Sequence, residues 1–208
     1  MHVIVFAARK GGASKTTLCA HLAVEASRTG TGLVLMTDMD PQQSLAAWWS
    51  DRGAEWPRLV GMDMTQLDAQ VAKAKAHAGL LFIDTPPHDS SIMEKVFAVA
   101  DLVLIPVKPS PHDLKAVGVT VKAVKAAGRP FVFIVTQAVA RASITTQAVL
   151  ALSQHGPVAT TIMTYRVDYC GSMTDGRTVQ EVAPKGKAAG EIRELWSYVY
   201  QHLNNCSL

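Results

Sequence analysis

Apolar residues along this chain gather into short, nearly continuous runs. HVIVFAA (2–8), GLVLMTD (32–38), GLLFIDT (79–85), DLVLIPV (101–107) and PFVFIVT (130–136) are dense in Val, Ile, Leu and Phe. Strands buried on both faces read this way, as in a parallel sheet covered by helices. PVATTIM (157–163) is a weaker sixth run. Between the runs the patterns are helical, over 15–29, 41–52, 65–77, 90–99, 113–127, 143–154 and 188–203. In the last, Ile192, Leu195, Trp196, Val199 and Leu203 share one face at three- and four-residue steps. This alternation predicts an α/β fold, a doubly wound and mostly parallel sheet flanked by helices. No repeat or low-complexity linker interrupts the chain, so a single domain over 1–208 is expected. The stretch 166–187, where Gly, Asp, Arg and Lys replace the apolar rhythm, is expected to be irregular.

Composition supports a compact globule. Apolar residues make up 49% and charged residues 18%, and 208 residues suffice to bury a substantial core. Twenty basic residues against seventeen acidic ones give +3, which permits nucleic acid as a partner without requiring it. Cys19, Cys170 and Cys206 form no CxxC pair and no metal-like spacing, so a reduced, cytoplasmic chain is expected. No apolar run reaches the roughly 18 residues that span a bilayer.

The chemistry begins at FAARKGGASKTTLCA (6–20), between the first strand and the first helix. A phosphate loop works because successive backbone N–H groups converge on anionic oxygens at a helix N-terminus. Glycines allow close approach, a lysine reaches the outer phosphates and the next hydroxyl ligates magnesium. Gly11 and Gly12 supply the turn, Ala13 and Ser14 the rest of the cradle, Lys15 the ammonium, Thr16 the metal-side hydroxyl and Thr17 a further phosphate contact. The strict GxxxxGK[ST] pattern fails at both glycines, replaced by Arg9 and Ser14. The alternative is a glycine turn beside an exposed lysine.

Carboxylates end two further strands. VLMTDMDPQQS places Asp38 and Asp40 on one face, and LLFIDTPPH ends its strand with Asp84. A carboxylate at that edge meets magnesium beside a phosphate loop. Capping of a helix that begins at Pro41 is the competing account of the aspartate pair, and a strand-ending Asp that starts a turn is the competing account of Asp84.

KGGASKTT resembles K-G-G-x-G-K-T-T, the deviant Walker A motif of the ParA/MinD group of ATPases, with Lys10 as the motif-leading lysine and Ser14 as the departure. The D-x-D-P-Q and D-T-P-P segments resemble the same group, and the likeness spans essentially the whole chain. It implies a P-loop NTPase fold with ATP/ADP and Mg2+ as cofactors. In this group two subunits sandwich two ATP molecules, so Lys10 would reach the partner subunit's phosphates. Asp40 would orient the attacking water, and Asp38 would join Thr16 and Asp84 around the magnesium. Gln42 falls at the group's interface-proximal glutamine. Pro109, in PVKPSPHDL, and Thr136 and Gln137, after the fifth run, fall where the group contacts the base. For the proline stretch, a rigid connection alone accounts for it equally well.

Within the group, nitrogenase-type reductases need paired cysteines that are missing between Cys19 and Cys170, and dethiobiotin synthetases as a rule lack the leading lysine. MinD-type membrane cycling requires a basic amphipathic terminal helix, whereas Glu191, Arg193 and Glu194 leave 188–203 with little net charge. The closest resemblance is to small ParA partition ATPases without an N-terminal helix-turn-helix. It implies an ATP-bound homodimer that binds nucleoid DNA non-specifically, slow hydrolysis stimulated by a ParB-like or cargo adaptor protein, and no stable membrane association. Arg166, Lys185, Lys187 and Arg193 are the candidate DNA contacts, with a solvated loop as the alternative for each. The rival from another class is a nucleotide-gated scaffold with little or no hydrolysis.

Overall fold

The computed structural model describes residues 1–87 and 90–205; His88 and Cys206, which the sequence reading used, lie outside them. Among the described residues, six strands form one parallel sheet: β1 (His2–Phe6), β2 (Val34–Asp38), β3 (Arg58–Leu59), β4 (Leu80–Asp84), β5 (Leu102–Val107) and β6 (Phe131–Val135). Their order is β3-β2-β4-β1-β5-β6, so the first strand lies in the interior between β4 and β5. The helices are α1 (Lys15–Arg28), α2 (Ser44–Ser50), α3 (Leu67–Lys75), α4 (Ser90–Val99), α5 (Pro111–Ala126), α6 (Ser143–Ser153), α7 (Val167–Ser172), α8 (Val179–Val182) and α9 (Lys187–Asn205).

Alternation along the strands builds two cores. Ile4, Phe6, Met36, Phe82, Leu104 and Ile134 face α1 and α9, where they meet Leu18, Leu22, Ile192 and Trp196. Val3, Val5, Ile83, Val103 and Ile105 face the other way, toward Leu67, Phe97, Val121 and Leu152 of the helices on that side. Each such side chain contributes about 2 kcal/mol when fully removed from water, and both faces of the sheet are dry, which is why the strands read as unbroken apolar runs. At the start of β4, a Cβ on Gly79 would stand 2.2 Å from the Thr31 carbonyl oxygen, so this close approach of backbones requires glycine.

The apolar face of α9 is buried, and the Trp196 indole N–H donates to Thr29 Oγ1 at 3.0 Å. The stripe that a membrane helix would present outward is therefore part of the core. Among the described residues no helix is long and apolar enough to cross a membrane.

Three expectations are corrected. The run 157–163 contributes isolated bridges, Phe133 to Val158 and Ala138 to Thr164, in place of a sixth strand; Pro157 has no N–H to give a ladder there. The sixth strand is the two-residue β3 at the opposite edge, paired as Leu35 with Arg58 and Met36 with Leu59. The stretch 166–187 is helical in part: α7, a 3-10 turn (Met173–Asp175) and α8 are anchored by buried Tyr169 and Val179. Thr178 and Glu181 form a reciprocal capping box at the start of α8. Finally, the helix expected from residue 41 begins at Ser44, because Gln43 adopts a left-handed conformation (φ 52°) and its N–H closes a turn on the Asp40 carbonyl.

Candidate active site

The C-terminal ends of β1, β2 and β4 lie side by side, with Phe6 in register with Asp84 and Asp84 with Asp38. The chain leaves β1, turns through residues 7–14 and enters α1 at Lys15. Gly12 takes φ 73°, a left-handed value that glycine adopts without strain, and Ser14 takes φ 71°. Ser14 is the residue before the helix, and its carbonyl accepts from Leu18 N at 2.9 Å.

Around this turn the electrostatics are unbalanced. Lys15 is 7% exposed and, among the described residues, makes no ion pair. Burial pulls its ammonium pKa down, against the attraction of Asp84 and Asp40. Thr16 Oγ1 donates to Asp84 Oδ2 at 2.6 Å, while Asp84 Oδ1 is buried without a hydrogen-bond partner. Burial lifts the Asp84 carboxyl to about 7, opposed by the Thr16 hydrogen bond and by Lys15. A buried ammonium and a buried unpartnered carboxylate oxygen, both at a helix N-terminus, fit a phosphate group and its divalent cation. Among the described residues no three His, Cys, Asp or Glu side chains cluster as metal ligands, so Thr16 and Asp84 would hold Mg2+ together with phosphate oxygens and water.

Asp38 and Asp40 differ. Asp38 Oδ2 accepts from Leu45 N at 2.9 Å and Ala46 N at 3.0 Å, and its Oδ1 accepts from Asp40 N at 3.0 Å. The capping account of the sequence thus describes Asp38, acting at a distance on α2. Asp40 accepts from Gln42 N at 2.9 Å, and it is close enough to Lys15 to raise the ammonium pKa.

The remaining candidates surround the loop. Lys10, 47% exposed, pairs within its own chain with Asp113 Oδ2 at 3.0 Å. Asp113 is buried near the start of α5, where its N–H donates to Ser110 Oγ and its carboxylate bonds the same hydroxyl. Pro109 sits in the turn closed by Ser110 N on the Lys108 carbonyl. Thr136 and Gln137, expected near the base, contact the loop itself: Thr136 Oγ1 donates to the Ala13 carbonyl, and the Gln137 amide to the Gly12 carbonyl and Ser14 Oγ. Gly11 and Thr17 keep partial or full exposure beside them.

Sequence reasoning missed Lys108, whose Nζ is 3.5 Å from where a Cβ on Gly12 would stand. Its place in the quoted PVKPSPHDL run was the available signal. The candidate DNA residues separate into two kinds. Arg166 gives two hydrogen bonds to Glu191 Oε1, at 2.8 and 3.1 Å, and Arg193 donates to the Pro184 carbonyl at 2.7 Å. Lys185 and Lys187 are exposed and, among the described residues, form no ion pair.

The sequence profile of the CobQ/CobB/MinD/ParA nucleotide binding domain matches residues 4–179. Over 202 residues the chain is 29% identical to maintenance of carboxysome distribution protein A of Halothiobacillus neapolitanus, covering 91% of this chain and 92% of that one. The septum site-determining protein MinD of Pyrococcus horikoshii, complexed with Mg-ADP, superimposes with a TM-score of 0.79 at 16% identity, covering 99% of this chain and 98% of that one. A Cyanothece McdA variant in complex with ATP superimposes at 0.73 with 15% identity, covering 99% and 96%.

Proposed function

The chain belongs to the CobQ/CobB/MinD/ParA family of nucleotide-binding domains, and from that premise we propose that it is an ATP-driven positioning switch. ATP binds at the loop 10–17, two subunits close over the nucleotides, and the dimer holds DNA without sequence preference until hydrolysis releases it. A partner protein accelerates that hydrolysis and selects the cargo. Lys15 binds the outer phosphates, and Thr16 and Asp84 hold Mg2+. Bound there, the ion would neutralise charge spreading over the transferred phosphoryl group. Asp40 orients the attacking water, and Asp38 fixes Asp40 and α2 in place through its three backbone hydrogen bonds.

The observation that carries this reading is the pairing of opposites at the start of α1: among the described residues, a buried lysine that closes no ion pair beside a buried carboxylate oxygen without a donor. Each is costly alone and both are resolved by a magnesium-bound triphosphate. Lys10 supports the dimer step because it is half exposed at the mouth of the loop, where exchanging Asp113 for a partner's phosphate needs no repacking of the core. Lys185 and Lys187 supply the DNA-facing charge. The relatives' carboxysome and septum names favour positioning of a large cargo over metabolic turnover.

ATP turnover, measured with and without DNA, tests the reading. Asp40→Ala is expected to abolish turnover while ATP-dependent dimerisation persists in light scattering. Unchanged turnover in that variant would remove Asp40 from its role, and a wild-type protein that dimerises on ATP without any turnover would make it a scaffold. Replacing Lys185 and Lys187 together by alanine is expected to flatten the logarithmic salt dependence of DNA retention by about one per lysine.

A further inference from the structure

Two non-glycine residues beside the phosphate loop hold left-handed backbone, Ser14 at φ 71° and Gln137 at φ 52°. Such conformations are costly for residues that carry a Cβ. They are also joined: the Gln137 side-chain amide donates to Ser14 Oγ at 2.6 Å and to the Gly12 carbonyl oxygen at 2.9 Å. A carbonyl oxygen accepts and never donates, so the Gly12 contact fixes which end of the Gln137 amide is nitrogen. Ser14 Oγ is therefore the acceptor of the second bond. With Thr136 Oγ1 on the Ala13 carbonyl, three successive loop residues are tied to the end of β6.

We propose that Gln137 is a positioning residue for nucleotide binding, whose amide holds Ser14 in the conformation that similar loops obtain from glycine. The proposal rests on the ATP reading above. Ser14 occupies the last position before α1, and its carbonyl begins the helical hydrogen bonding at Leu18. Rotating Ser14 out of the left-handed region would turn its N–H away from the cradle and disturb the helix start that presents Lys15. Serine is the residue that lets the clasp work: it is small, and it carries an oxygen where alanine has none. Glycine there would need no clasp.

This asymmetry gives the test, a double-mutant cycle read as the Kd for a fluorescent ATP analogue with Mg2+, with thermal unfolding of every variant as the folding control. With Ser14 present, Gln137→Ala is expected to weaken binding about tenfold, the loss of the Ser14 and Gly12 hydrogen bonds together. With Ser14→Gly in the background, the same change is expected to cost about twofold, from the Gly12 contact that remains. Ser14→Ala, which keeps the Cβ and loses the oxygen, is expected to bind about fivefold more weakly than Ser14→Gly. An equal loss from Gln137→Ala in both backgrounds would overturn the proposal and assign Gln137 a direct contact with the nucleotide. Equal affinities for Ser14→Ala and Ser14→Gly would overturn it without touching Gln137. Wild-type protein that fails to bind the analogue, with Lys15→Ala no different, would instead sink the ATP reading.

Discussion

Asp84 is 1% exposed and its Oδ1 has no hydrogen-bond partner, so its charge is held in the free protein at a cost that can be calculated. Burial lifts the carboxyl to about 7, from the ordinary aspartate value near 3.8 that it regains on unfolding. Each tenfold change in that equilibrium is worth about 1.4 kcal/mol, so keeping Asp84 ionised at pH 8 costs the native state about 4 kcal/mol. A carboxyl whose native pKa is raised contributes fully below its unfolded value and loses that contribution as pH climbs through the native one. The cost is therefore about 1 kcal/mol at pH 4.5 and complete by pH 8. Asp84→Asn keeps the shape and an acceptor for Thr16 while removing the charge. Nucleotide-free, this variant is expected to be more stable than wild type at pH 8, raising Tm by about 8–16 °C, with most of the difference gone at pH 4.5. Adding Mg2+ and ATP should invert the order, because the wild type gains stability from a ligand that the variant no longer holds well. Urea unfolding at the two pH values, with and without Mg-ATP, reads all four numbers. A variant that is less stable at pH 8, or one whose gain is the same at both pH values, would refute the argument that Asp84 is an uncompensated charge.

On the proposal that the Lys10 cation acts on the partner's phosphates, Lys10→Ala is expected to bind ATP within about twofold of wild type yet lose stimulated turnover at least about tenfold. Mixing Lys10→Ala with Asp40→Ala, each inactive alone, should restore activity toward about a quarter of wild type, because half of the dimers then contain one intact composite site. No recovery on mixing would place Lys10 in its own subunit's site. His21 is fully buried, its Nδ1–H donates to the Thr17 carbonyl, and burial lowers its pKa to about 4. A histidine kept neutral in this way contributes stability above its unfolded value near 6.5 and loses it as pH falls toward 4, about 3 kcal/mol in all. His21→Asn, which preserves the donor, is expected to flatten the acid side of the stability profile in urea titrations between pH 6.5 and 4.5.

Strands buried on both faces announce themselves, and five of the six strands lie within continuous apolar runs of the sequence. Arg58–Leu59 could not be read, because two residues carry no period and its pairing depends on the neighbouring β2. The opposite error at 157–163 came from apolar character without the ladder that Pro157 and its neighbours fail to supply. The loop and Asp84 were legible as candidates because they follow β1 and close β4, and Asp40 because it lies two residues past the end of β2. The contacts that shape the loop were not, since they join residues far apart in the chain: Lys10 with Asp113, Ser14 with Gln137 and Ala13 with Thr136. The role of Asp38 was legible as a pair of alternatives, of which the backbone hydrogen bonds to α2 display the capping contact.

The interior place of β1 has a consequence for synthesis. A ribosome delivers this strand before both of its neighbours, residues 80–84 and 102–107, and before the ties across the loop, which come from 136 and 137. Closing such spans costs entropy before any contact returns it. A nascent chain stalled short of β6 therefore carries the loop's letters without its shape, and the nucleotide cradle takes form only after β6 has emerged.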